Sequence, residues 1–374
     1  MRKLVRQIHL WLGLVSGLLV FIIAVTGCLY AFQEEIQNAT QPFRFVQVQD
    51  RPYMLPSKLQ AIAQSQLPDK HLHSVKYNEP HKAAEAIFYD YEPAYYYTVF
   101  LNPYTGGVLK VNDNDKGFFR IVLNGHYYLW LPPHIGQPVV ATATLVFVAM
   151  LITGIVLWFP RNWRLLKQSV GFVWNRNTQW KRKNYDLHNV LGYYASFFAL
   201  ILALTGLIWG FQWFAFGMYK GLGGKKSLVY AEPVSKTPTE KGITQQLSPI
   251  DSVWAIMQRD YPLAKSIEVH PPETDSSAIS ANANNVSGTY WQTDYRYFDQ
   301  YTYEELTVGH IYGKLDDAKF ADKVLRMNYD IHVGAIGGFA GKLLVFSIGL
   351  ITASLPVTGV LIWWGRQKRK KQSE

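Results

Sequence analysis

The sequence predicts an α-helical integral membrane protein: a four-helix bundle with an internal pseudo-two-fold repeat, carrying two small α+β domains outside the membrane. Three observations predict it. Four windows, about 8–32, 139–159, 190–214 and 341–364, are apolar over the ~20 residues that a ~30 Å hydrocarbon core requires. The stretches between the first and second windows, and between the third and fourth, are polar and mixed. The chain also repeats itself: HLWLGLVSGLLVFIIAVTGCLYAFQ from His9 and HNVLGYYASFFALILALTGLIWGFQ from His188 match at Leu12/Leu191, Gly13/Gly192, Thr26/Thr205, Gly27/Gly206, Phe32/Phe211 and Gln33/Gln212.

Taken in order, residues 1–36 are the first transmembrane helix, opened by a basic MRKLVR. Residues 37–116 are the first outer domain. In it 40–56 is a linker, SKLQAIAQSQLP has helical periodicity, and YYYTVFLNPYTGGVLKV alternates as a hairpin turning at Asn102-Pro103 and Gly106-Gly107. Residues 117–160 hold an amphipathic stretch, FFRIVLNGHYYLWLP, and the second helix, ending TGIVLWFPR. A basic loop, 161–185, leads to the third helix, 186–216. A Gly-, Lys- and Ser-rich linker, 215–247, leads into the second outer domain, 217–320. The helix SPIDSVWAIMQRDYP and strand-like KSIEVHP, SAISANA and TYWQTDYRYFDQYTYEELTVG follow. Residues 321–366 repeat the amphipathic entry, ADKVLRMNYDIHVG, and the closing TGVLIWWGR; 367–374 is a basic tail. Each outer domain is expected to be one helix against an antiparallel sheet.

The formal charge of +10 is an orientation signal and not an affinity for nucleic acid. Residues 1–6, 161–183 and 366–374 hold 15 of the 37 Lys and Arg. Basic residues in short segments beside helix ends mark the cytoplasmic side. Both termini and the 161–185 loop are therefore expected inside, and the two long polar segments outside. The single cysteine, Cys28, excludes an intramolecular disulfide and a CxxCH haem attachment. No GxGxxG or GxxxxGK[ST] fingerprint is evident, so no nucleotide-binding domain is expected.

The histidines carry the chemistry. His9 and His188 open helices one and three; His126 lies 27 residues before Thr153, and His332 lies 26 before Thr358. One histidine at a helix end is ordinarily an interfacial residue, but four at repeat-equivalent positions point to a functional set. A repeat that preserves chain direction has its axis along the membrane normal, which sets His9 opposite His188 and His126 opposite His332. Paired imidazoles can ligate the iron of a haem held inside a bundle. The expected cofactors are two non-covalent b-type haems with both axial positions filled, one near each membrane face. Gly13, Gly192 and Gly334 are expected to make room for the rings. His134, in PPHIG, is the alternative to His126. Tyr127, Tyr128 and Trp130 are either an apolar wall for a substrate or an anchor at the lipid headgroups. His71, His73, His81, His270 and His310 lack metal-ligand spacing and are expected to be surface residues.

The sequence resembles the PepSY-associated transmembrane family, the iron-regulated inner-membrane proteins of bacteria. RQIHLWLGLVSG, FLNPYTGGVL, WFPR, NYDLHNVLGYYAS and above all RMNYDIHVGAIGG carry the resemblance, which covers nearly the whole chain. It departs from the family where Asn124-Gly125-His126 stands in place of a Leu-His. The resemblance implies PepSY-like outer domains facing the periplasm and two b haems ligated by His9, His188, His126 and His332. It implies reduction of ferric siderophores by electrons from a quinol or a cytoplasmic reductase. A haem protein serving another periplasmic acceptor and a non-redox PepSY-type regulator are the alternatives.

Overall fold

The computed structural model describes residues 1–160, 166–236 and 247–373. The predicted linker 215–247 and basic loop 161–185 therefore fall partly outside the described residues. The chain divides into two units: Met1–Gln33, Phe118–Gly217 and Asn328–Glu374 form the first, and Glu34–Gly117 and Met218–Met327 the second.

The first unit is helical. Its helices are α1 (Arg2–Ala31), then α4 (Phe118–Tyr128) and α5 (Pro133–Trp158), with α2 (Gln33–Thr40), from its second residue, and α3 lying in the second unit. A short α6 (Leu166–Val170) and α7 (Trp180–Asp186) follow. A π-helical turn, Leu187–Leu191, then leads into α8 (Gly192–Gly210). After α9 (Gln212–Gly221) the unit resumes at α12 (Asn328–His332) and closes with α13 (Gly338–Ser373), α10 and α11 lying in the second unit. Four stretches, Arg2–Ala31, Pro133–Trp158, Trp180–Gly210 and Ala335–Gln367, are long and apolar enough to cross a membrane. They pack as a closed ring: α1 lies against α5 and α13, and α8 against the same two. Leu151, Ala195, Ala199 and Ile348 are buried where α5, α8 and α13 meet. Side chains on the outside of the ring, such as Trp11, Val15, Leu18 and Phe197, are exposed, as a lipid-facing surface requires.

The turn from α4 into α5 is tight. Leu129 and Trp130 both adopt the left-handed conformation, with φ of 53° and 59°, which costs a side-chain-bearing residue about 1–2 kcal/mol. The Trp130 indole offsets it by folding back onto α4, donating to the Ile121 carbonyl at 2.9 Å. It covers Gly125, where a Cβ would collide with the ring. The unusual Asn-Gly-His is explained by that ring.

The second unit is built on one eight-stranded antiparallel sheet of order β4-β3-β2-β1-β5-β6-β7-β8. The strands are β1 (Leu72–Tyr77), β2 (Ala84–Tyr91), β3 (Ala94–Leu101), β4 (Val108–Asp113), β5 (Ser266–His270), β6 (Ile279–Asn284), β7 (Asp294–Phe298) and β8 (Glu305–Leu306). Two α+β domains were expected; instead both halves share the sheet through the β1–β5 pair, with Val75 opposite Val269 and Tyr77 opposite Ile267. Helices α3 (Pro56–Gln66) and α10 (Pro249–Asp260) pack together against it. Leu59, Ala63, Val253 and Met257 close on Val75, Phe88, Val99 and Ile279 as one core, so neither half encloses a core alone. α11 (Phe320–Arg326) completes the unit. The predicted linker begins instead as helix α9, because WFAFGMY is apolar enough to continue one.

A candidate cofactor site of paired histidines

Each of the four predicted histidines meets a Thr-Gly pair on another helix. Nδ1 of His9 lies 2.9 Å from Oγ1 of Thr153, and Nδ1 of His188 lies 2.9 Å from Oγ1 of Thr358. Nδ1 of His332 lies 2.8 Å from Oγ1 of Thr205. His126 differs in detail: its Nδ1 bonds the Ile23 carbonyl at 2.9 Å, with Thr26 Oγ1 farther off at 3.4 Å. The following glycine makes space for the ring edge. A methyl at Gly27, Gly154, Gly206 or Gly359 would stand 2.9, 3.3, 3.5 or 3.3 Å from Cε1 of the respective histidine. At Gly27, Gly154 and Gly359 that is close enough to push the ring aside.

Hydrogen-bond accounting settles the tautomer. Each threonine donates its one hydroxyl proton to a carbonyl of its own helix: Thr26 to Ile22, Thr153 to Ala149, Thr205 to Ile201 and Thr358 to Ser354. Its oxygen can then only accept. Carbonyls three residues earlier, of Ile23, Met150, Leu202 and Leu355, also bond the rings and accept only. Nδ1 therefore carries a proton in all four rings, and in a neutral ring Nε2 then keeps the lone pair, the form that ligates a metal. Burial also lowers the pKa of His126 and His332, so both are neutral at pH 7.

The rings form two pairs at opposite ends of the helical ring. His126 and His332 stand with ring centres 6.1 Å apart and planes at 61°. An iron bound at about 2 Å by one nitrogen of each ring would set the centres roughly 6 Å apart. Both rings line a cavity of about 190 Å³ between the four long helices. Its wall carries many small residues, among them Ala24, Gly27, Ala203, Gly206 and Gly349, which leave a slot a flat macrocycle could enter. Tyr127, Gln137, Trp209 and Tyr329 also line it, and the Trp209 ring stands edge-on to His332 at 5.2 Å. His9 and His188 are close enough to act on one another electrostatically. His188 sits in the π turn, a break in helical register that re-aims side chains and recurs at functional sites. Among the described residues no three His, Cys, Asp or Glu side chains converge as a bare metal ion needs. Two histidines per site suit a macrocycle, which brings its own four equatorial ligands.

Some expected residues lie elsewhere. His134 is exposed in the first turn of α5 and does not line the cavity. Tyr127 joins the cavity wall; Tyr128 and Trp130 do not. Gly13 faces Met150, Gly192 faces Leu355, and Gly334, at φ +79°, packs on the Gly341 backbone. Gly334, expected beside His332, does not border the cavity; the glycines that touch the histidine rings are those of the Thr-Gly pairs. The sequence carries a second signal beside the histidine repeat. Asn184-Tyr185-Asp186-Leu187-His188 and Asn328-Tyr329-Asp330-Ile331-His332 share one pattern. In both, the asparagine donates to the backbone carbonyl of the very threonine that the histidine meets: Asn184 to Thr358 at 3.1 Å and Asn328 to Thr205 at 3.2 Å. Asn and His, one turn apart, thus grip one threonine. Each asparagine leaves Oδ1 buried with no partner among the described residues, an acceptor that a bound group or trapped water would satisfy.

No curated protein matches the sequence. A family model described as the PepSY-associated TM region matches residues 6–366, spanning all four long helices and every histidine of both pairs. With that match over nearly its whole length, the chain belongs to the PepSY-associated transmembrane family.

Proposed function

We propose that the protein is a bacterial inner-membrane reductase with two non-covalent haem b groups, one held by His9 and His188 and one by His126 and His332. On this reading it passes electrons from a cytoplasmic reductase or a quinol to ferric siderophores in the periplasm. The observation that carries the reading is the fourfold arrangement of imidazoles, each with Nδ1 engaged by the helix opposite and Nε2 left for a ligand. A regulatory membrane protein has no need of it.

Haem iron with two imidazole ligands supplies one-electron transfer and has no open position for oxygen. The protein's part is to place the two ligand pairs at different depths. His188 and the Thr205 that meets His332 are seventeen residues apart on one continuous span, roughly 25 Å along its axis. The slot is lined largely by small and apolar side chains, while Tyr127, Gln137 and Tyr329 offer hydroxyl and amide groups within the cavity wall. A ferric siderophore suits the acceptor role because its hard oxygen ligands match Fe(III), and one electron weakens that match and loosens the complex.

The purified protein should contain two haems per chain by pyridine haemochrome assay and show a reducible b-type spectrum. Ferric siderophores should reoxidise the dithionite-reduced protein faster than their free ligands do. A colourless protein that takes up no haem would overturn the cofactor assignment. A haem protein that ferric siderophores leave reduced would keep the cofactor and transfer the role to another periplasmic acceptor.

A further inference from the structure

We propose that Thr26, Thr153, Thr205 and Thr358 are positioning residues that hold the histidine rings by Nδ1 and set how strongly each imidazole donates through Nε2. This rests on the haem reading above, but its first test does not.

The inference follows from the hydroxyl's single proton. A threonine left to itself could donate to histidine or accept from it. Here the helix has already taken the proton, at 2.7 to 3.0 Å in all four cases. Each hydroxyl is thereby made an obligate acceptor aimed at Nδ1–H. An acceptor on the far nitrogen makes an imidazole a stronger donor through the near one. A stronger donor favours the ferric over the ferrous state. The threonines hold this acceptor inside an apolar helix without the charge that a carboxylate would bring, and burying that charge is costly. At Gly27, Gly154 and Gly359 the adjoining glycine is part of the same device, because a methyl there would stand 2.9 to 3.3 Å from the ring that approaches the hydroxyl.

The four contacts are not equal. Thr205 lies 2.8 Å from His332, whereas Thr26 lies 3.4 Å from its partner His126, whose Nδ1 relies on the Ile23 carbonyl. Removing the Thr205 hydroxyl should therefore matter more than removing that of Thr26, although both serve one histidine pair. That difference is the signature of a hydrogen-bond effect, since Val fills the same volume at either site.

The test uses the full-length protein and its Thr205→Val, Thr205→Ser and Thr26→Val variants. Nitrogen-15 histidine NMR of haem-free protein reads the tautomer directly. Nδ1-protonated rings are expected, and the Nδ1–H signal of one histidine should move upfield in Thr205→Val and return in Thr205→Ser. In haem-loaded protein, Thr205→Val should raise one midpoint potential and leave the other. The expected size is about a tenfold loss of ferric preference, about 59 mV for one electron. Thr26→Val should shift the same haem by less than half as much. Rings protonated on Nε2, or a potential unmoved in Thr205→Val, would overturn the proposal. So would a shift that serine fails to restore, or haem lost from the valine and serine variants alike. Should the wild-type protein bind no haem, the reductase reading falls, and the NMR result alone decides the role of the threonines.

Discussion

At the scale of the residue, each of the four histidines has a partner on a different helix. His9 meets α5, His188 meets α13, His126 meets α1 and His332 meets α8, so every ligand candidate is buttressed by a helix other than its own. Replacing His9 or His188 by Ala should cost one haem equivalent and spare the other. Replacing His126 or His332 should cost the second. His134→Ala should cost neither, since that side chain is exposed away from the cavity. A haemochrome titration of the five variants decides it; retention of both haems in His126→Ala would remove that residue from the set. The glycines give a graded check. A methyl at Gly27 would stand 2.9 Å from His126, one at Gly206 3.5 Å from His332. Gly27→Ala should therefore lower haem occupancy more than Gly206→Ala. Equal occupancy would mean the rings shift freely.

At the scale of the element, the second unit is held by contacts between distant halves of the chain. Asp251 on α10 is buried and accepts both the backbone N–H of Ser57, at 2.8 Å, and its hydroxyl, at 2.6 Å. It thus caps the first turn of α3 from the other half, in the way an N-cap residue does from within its own helix. Asp251→Ala removes the acceptor of two part-buried Ser57 donors at the start of α3 and should destabilise the sheet unit by about 0.5–2 kcal/mol, read as a lower melting temperature. Asp251→Asn, which keeps one acceptor, should recover part of the loss. At the β1–β5 seam Lys76 faces Glu268. Burial works against its ammonium, but Glu85 and Glu268 more than offset that and raise its pKa. Lys76 therefore stays charged at any physiological pH, and the seam should not loosen as the pH rises from 6 to 9. A melting temperature that falls over that range would contradict this.

At the scale of the whole molecule, the four apolar spans and the basic segments between them make an orientation prediction. A reporter fused after Glu374 should be active only in the cytoplasm, and reporters inserted in 37–116 or 217–320 only in the periplasm. Activity of the Glu374 fusion in the periplasm alone would invert the topology and with it the direction of electron flow. Topology also assigns the two histidine pairs to faces. His9 and His188 would belong to the cytoplasmic side, and His126 and His332 to the side where a ferric chelate arrives.

What the sequence determined by itself was periodic or repeated. Four apolar windows imply four spans because hydrocarbon admits only long stretches with every backbone group satisfied. Basic clusters imply sides, and equivalent positions in two copies single out His9, His188, His126 and His332 from ten histidines. The strands β3 and β4 were visible as a hairpin because their turn residues lie between them. What only the tertiary structure decided depends on pairings across long separations. The β1–β5 seam joins strands some 190 residues apart, and its register follows from burying α3 and α10 on a common face. The Thr-Gly pairs could be seen as repeats, but not as the seats of histidines 100 to 170 residues away. The contacts of each Nδ1, the placement of His126 rather than the exposed His134 at the cavity and the double grip of the Asn-Tyr-Asp-x-His segments all depend on which helix lies opposite. Helix packing alone brings those atoms together.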